Sequence, residues 1–174
     1  MTDDILMMKM DGKRPTEPLI HTKHREMNPE ISPNGRWIAY QSDESGTHQV
    51  YVRPFPNVDA GSWQVSTGPV GTRPLWARNG RELFDVDDAA NRLMVVPIQS
   101  DGETFRLGTP AKVLDYGFLV NVSATRSFDI SPDGQRFLVI KDNAVNNQAS
   151  TATPASLVVV LNWVEELKQR VPAH

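Results

Sequence analysis

The 174-residue chain contains no cysteine. Disulfides, thiolate zinc sites, iron–sulfur clusters and a cysteine nucleophile are therefore excluded. A basic excess is missing too: 18 Lys and Arg stand against 21 Asp and Glu, for a formal net charge of −3. Domains that coat nucleic acid carry the opposite balance, so no nucleic-acid partner is expected. No apolar run approaches the ~18 residues that cross a bilayer, so no membrane span is expected. Met1-Thr2-Asp3-Asp4 is acidic and leads into a short apolar run, unlike a secretory leader. As written the chain reads as cytoplasmic, a reading that lapses if it is a piece of a longer protein. Neither a Gly-x-Ser-x-Gly elbow nor a Ser-x-x-Lys pair occurs, and Gly-x-Gly-x-x-Gly and P-loop turns are also absent. The sequence thus points to no α/β-hydrolase nucleophile, no nucleotide and no other cofactor.

What is present is a repeat. Residues 28–43, 73–88 and 127–142 align without gaps on Gly35, Gly80 and Gly134. Asn34-Gly35, Asn79-Gly80 and Asp133-Gly134 are strong hairpin signals, since both residue types tolerate positive φ. Each follows a short strand and precedes an alternating one: 37–40, 83–86 and 137–140. Third strands are predicted at 50–53, 93–98 and 157–161, and weaker fourth strands at 63–66 and 111–114. Four antiparallel strands in about 45 residues is the format of a β-propeller blade. Strand aromatics such as Trp37, Tyr40, Trp76, Phe84, Phe128 and Phe137 are read as packing between blades.

Ser32-Pro-Asn-Gly-Arg-Trp-Ile-Ala-Tyr40 and Ser131-Pro-Asp-Gly-Gln-Arg-Phe137 resemble the signature of TolB-type, WD-like propeller repeats. Asp43-Glu-Ser-Gly46 followed by Val50-Tyr-Val52 continues that resemblance. It is closest to the C-terminal propeller blades of bacterial serine/threonine kinase-associated sensor proteins, which also end in a stretch similar to residues 160–168. The second repeat departs from the signature, with Ala77-Arg78 in place of Ser-Pro. The resemblance implies a non-catalytic module that binds a protein or peptide.

The expected fold is therefore all-β, with about three blades of four antiparallel strands in a partial ring and a short C-terminal α-helix. The segments are a half blade (1–20), two blades (25–67 and 72–115), an incomplete blade (126–161) and a helix (162–171). The helix rests on Trp163, Val164, Leu167 and Val171, which share one face, with Pro172 ending it. The polar segment 141–156 reads as a long loop. Propellers close with four to eight blades, and open sheet edges invite pairing. The chain is thus expected to be completed by more chain or by a homo-oligomer, with strands 5–10 and 17–20 complementing the unfinished blade of a neighbour.

Candidate chemistry is sparse. Arg25, Arg73 and Arg126 fall near the start of the first strand of their repeats, which in a propeller lies innermost. Three arginines there could form a ring for an anionic ligand or acidic peptide. The bland alternative is loop charges paired with near-sequence acids such as Glu26 and Asp129. His21 and His24 lack further ligands at metal spacing, so no metal site is expected. Asp43, Asp88 and Asp142 each follow the anchor glycine by eight residues and read as hairpin-stabilising side chains. The competing function is a small hydrolase of esterase or glycosidase type, or a lyase. Its site would lie at the ring centre or a subunit junction, assembled from several blades without a linear motif.

Overall fold

The structure is a computed structural model that describes residues 3–10, 15–101, 104–115 and 126–140. All lie in one compact unit, Met1–Lys141; the second unit, Asp142–His174, is outside the described residues. So are the expected loop 141–156, the strand at 157–161 and the helix at 162–171.

The described residues are all-β, with a single 3₁₀ turn at Val58–Ala60. Strands β1 (Ile5–Met8) and β2 (Thr16–Ile20) form an antiparallel hairpin. Strands β3 (Glu26–Ile31), β4 (Trp37–Ser42), β5 (Gln49–Pro54) and β6 (Trp63–Gln64) form a four-stranded sheet in chain order. The next sheet contains β7 (Gly71–Trp76), β8 (Glu82–Asp87), β9 (Arg92–Ser100), β10 (Phe105–Leu107) and β11 (Ala111–Asp115). Strands β12 (Phe128–Ile130) and β13 (Phe137–Val139) form a second hairpin. Every pairing is antiparallel, as the repeat predicts.

Strand β9 is longer than expected and serves two partners. Its end, Ile98–Ser100, pairs with β10, and its beginning, Arg92–Val95, pairs with β11. The sequence indicates only the second of these. Strand β10 is three residues long, too short for an alternation to register.

The repeated turn has one geometry in all three copies. Gly35 N–H donates to the Ser32 carbonyl at 2.8 Å, and Ser32 N–H donates to the Trp37 carbonyl at 2.8 Å. Ala77–Glu82 and Ser131–Arg136 repeat this pattern. Gly35, Gly80 and Gly134 take φ of 70°, 68° and 70°, whereas the preceding Asn or Asp is not left-handed. The turn is therefore a four-residue loop rather than a two-residue loop with two positive φ values. Pro33 fixes the first turn position of the first copy. The side chain before the glycine then works as a cap: Asn34 Oδ1 accepts from Arg36 N–H at 3.1 Å, and Asn79 and Asp133 do the same for Arg81 and Gln135.

Two of the first strands carry a bulge at the same repeat position. The register slips between Met27 and Glu30, and again between Thr72 and Leu75. Asn28 and Arg73 sit in these bulges with φ of 53° and 54°. Each precedes a proline, which has no N–H for the ladder and so favours a local irregularity.

Successive sheets pack face to face. Trp37, Ala39, Val50, Val52 and Val65 of the first full sheet meet Trp76, Leu83, Val96, Ile98 and Phe105 of the next. On the other face of β4, Ile38 and Tyr40 meet Ile5 and Ile20 of the first hairpin. Leu75, Phe84, Val86 and Leu93 meet Phe128 and Ile130 of the last. Because side chains alternate along a strand, β4 buries both faces, and all six of its residues are buried. This stacking of antiparallel sheets through both faces is consistent with propeller-like blades.

Candidate functional site

The three sequence-selected arginines lie at different positions relative to their strands. Arg25 immediately precedes β3 and Arg126 precedes β12, but Arg73 is inside β7, at its bulge. Arg25 and Arg73 line one cleft of about 250 Å³ together with Gln41, His48, Thr72 and Asp88. Arg126 lines a separate one of about 170 Å³ beside Glu30 and Trp76. The structure thus brings two of the three into a common cleft.

Each arginine has a carboxylate partner. The Arg25 guanidinium donates to Asp3 Oδ2 through Nε at 2.9 Å and Nη2 at 2.7 Å. Arg73 Nη1 donates to Asp88 Oδ1 at 2.8 Å. Arg126 Nη1 donates to Glu30 Oε2 at 2.9 Å and to the Pro74 carbonyl at 3.2 Å. None of these partners is Glu26 or Asp129. Arg126 instead ties its own hairpin to both preceding sheets.

The aligned aspartates explain how the cleft is held. Asp43 Oδ1 accepts from the Arg25 backbone N–H at 3.0 Å, and Asp88 Oδ2 accepts from the Thr72 hydroxyl at 2.8 Å. Both therefore reach back to the first strand of their own sheet instead of closing their local turn. The Arg25 N–H holds the Asp43 carboxyl below the usual carboxylate range, with smaller contributions from His48 and His24. Gln41 joins the two full sheets at this end: its Oε1 accepts from Asn28 Nδ2 at 3.0 Å and from Arg73 N–H at 3.4 Å. The cleft is thus rigid and charged. It holds two guanidinium groups and a buried His48 Nδ1 with no hydrogen-bond partner among the described residues, against the Asp88 carboxylate.

His21 and His24 diverge. His21 Nδ1 lies 2.9 Å from Asp4 Oδ2, and His24 Nδ1 lies 3.6 Å from Asp43 Oδ1. Among the described residues no group of three metal-ligating side chains converges. Among them, too, no helix is long and apolar enough to cross a membrane. Sequence reasoning missed Gln41 and Asp3 as partners, because their contacts to Arg73 and Arg25 span 32 and 22 residues and belong to no motif.

No family model and no curated protein matches the chain. Among solved structures, the chain is similar to the putative TolB from Agrobacterium tumefaciens, at 23% identity and a TM-score of 0.45. The similarity covers 63% of this chain and 42% of that one, so the chain spans less than half of that structure's length. The fold described above rests on the sheets themselves.

Proposed function

We propose that the chain is a non-catalytic propeller module that binds a protein or peptide partner and is completed by association with a second copy or with further chain. One observation carries this reading. The two terminal hairpins expose large apolar side chains: Leu6 and Met8 on β1 are 56% and 50% exposed, and Leu138 and Ile140 at β13 are 75% and 57% exposed. Contiguous apolar surface on short sheets marks interaction sites. These hairpins are the first and last of the described sheets, the two places where a ring would be joined.

In this reading the partner's anionic groups meet Arg25 and Arg126, just before β3 and β12, and Arg73 at the β7 bulge. Arg25 and Arg73 act through their shared cleft and Arg126 through a separate one. The TolB-type signature in the sequence supports the module reading.

The test is the solution mass of the purified chain by light scattering over a range of concentrations. The expected result is a mass that is a multiple of 19.4 kDa, with Leu138→Asp shifting it towards the monomer. A concentration-independent monomer, unaltered by Leu138→Asp, overturns completion by self-association.

A further inference from the structure

Ten arginines fall within the described residues, and six of them hold a side-chain partner: Arg25, Arg53, Arg73, Arg92, Arg126 and Arg136. Of the remaining four, Arg78, Arg81 and Arg106 line a single groove of about 940 Å³. All three are exposed. The groove lies between the repeated turns of the two full sheets, with Asn34 on one side and Asn79-Gly80 on the other. The turns are close neighbours: a Cβ placed on Gly80 would sit 3.9 Å from Pro33 Cδ. Trp37 Nε1, from the first sheet, donates to Ser100 Oγ in the wall of the groove at 2.9 Å, which links the two sheets there.

The charge at this place runs against the chain as a whole, which is net negative. Among the described residues, three guanidinium groups share this concave polar surface with one acid, Asp101, whose Oδ1 already accepts from Thr104 N–H at 2.8 Å. Like charges gathered in a concavity repel one another and raise the local concentration of anions. Arginine also presents a planar fork that fits a carboxylate with two hydrogen bonds. The groove is far larger than a single inorganic anion needs. Arg106 stands on β10, which among the described residues pairs only with β9 and ends the sheet. An extended peptide can lie along such an edge.

We propose that this groove is a binding site for an extended, acidic peptide segment, with Arg78, Arg81 and Arg106 taking its carboxylates. The site is distinct from the cleft of Arg25 and Arg73, and it rests on the reading of the chain as a peptide-binding module.

Fluorescence anisotropy on the full chain tests it, with a short labelled peptide of alternating Glu and Ser as probe and its Gln-Ser counterpart as the neutral control. The Glu-Ser peptide binds with an affinity that falls as salt rises, and the Gln-Ser peptide does not bind. The triple variant Arg78→Gln, Arg81→Gln, Arg106→Gln weakens binding by about tenfold or more. Lys23→Gln, Arg92→Gln, Arg136→Gln makes the same change in net charge elsewhere and stays within about twofold of wild type. Unfolding curves confirm that both variants fold. Equal weakening in the two triple variants, or no salt-sensitive binding by the wild type, overturns the proposal. So does tighter binding of a labelled single-stranded oligonucleotide, or displacement of the peptide by inorganic phosphate. Loss confined to a third variant, Arg25→Gln with Arg126→Gln, also overturns it but leaves the module reading standing, with the peptide at the two clefts those arginines line.

Discussion

Arg73 donates to Asp88 across 2.8 Å, and its side chain is only 9% exposed. The pair joins the bulge of β7 to the residue that follows β8, and the same carboxylate also holds Thr72. The sequence places a long cation inside a strand, where Pro74 forces the bulge that turns it towards Asp88. Removing the acid leaves a nearly buried guanidinium without its partner, which costs more than the intact pair contributes. Asp88→Ala is expected to destabilise the chain by about 1–3 kcal/mol, allowing for the one-third exposure of Asp88. Urea unfolding measures this, and a double-mutant cycle with Arg73→Gln isolates the coupling. Additive single effects would show that the pair is not coupled.

The repeated turn makes a second, local prediction. Gly35 has φ of 70°, and a Cβ there would meet nothing within 4 Å. Any cost of substitution is therefore conformational rather than steric. Gly35→Ala is expected to lose about 1–2 kcal/mol, and Gly35→Asn clearly less, because asparagine tolerates the left-handed region. Thermal unfolding of the two variants side by side gives the ranking; equal losses would point to a clash instead.

Much of the fold is legible in the sequence for the same local reasons. Asn-Gly and Asp-Gly mark the turns, and the short, mostly apolar runs Trp37–Tyr40 and Leu83–Val86 mark strands with both faces covered. The bulges at Asn28 and Arg73 are written in the prolines that follow them. The site is less legible because its contacts are distant. Arg126 reaches Glu30 across 96 residues, and Gln41 reaches the β7 bulge across 32. Nothing near Arg126 in sequence indicates Glu30, and Asp129, which is near, is not its partner. The groove of Arg78, Arg81 and Arg106 is hidden for a related reason. Two of its arginines flank one turn, while the third stands on β10, a strand too short for periodicity to reveal.

Phe105 shows what that unread strand contributes. It is 6% exposed, with ring centroids 4.7 Å from Trp37 and 5.2 Å from Trp63. Trp37 and Trp63 meet edge to face at 5.6 Å. The three rings close the seam between the two full sheets. Phe105→Ala is expected to cost about 3–5 kcal/mol, the usual range for emptying a buried aromatic site. It should also reduce the near-ultraviolet circular dichroism of the paired tryptophans at temperatures where far-ultraviolet strand signal persists. Loss of both signals together would mean that the sheets unfold as one unit and that the seam has no separate stability.

Asp85 gives the chain a pH dependence of unusual sign. It lies in the middle of β8, is 2% exposed, and its Oδ1 has no hydrogen-bond partner among the described residues. Burial, with the neighbouring Asp87 carboxylate adding to it, pushes its pKa up to about 7. Between the ordinary carboxylate range and pH 7 the folded chain therefore holds a proton on Asp85 that the unfolded chain has released. Stability then falls as pH rises through that window, because ionisation favours the unfolded state. A depressed carboxylate such as Asp43 has the opposite effect, stabilising above the ordinary carboxylate range and losing that stabilisation as pH falls towards its lowered value. The difference between wild type and Asp85→Asn isolates the buried group, since asparagine keeps the shape and cannot ionise. The two are expected to be closest in stability near pH 4. By pH 8 the variant should be the more stable, by an amount on the order of a few kcal/mol at most, at about 1.4 kcal/mol per pKa unit. Denaturant unfolding of both proteins across that range decides it: curves that stay parallel from pH 4 to pH 8 would mean that Asp85 ionises as freely in the folded chain as in the unfolded one.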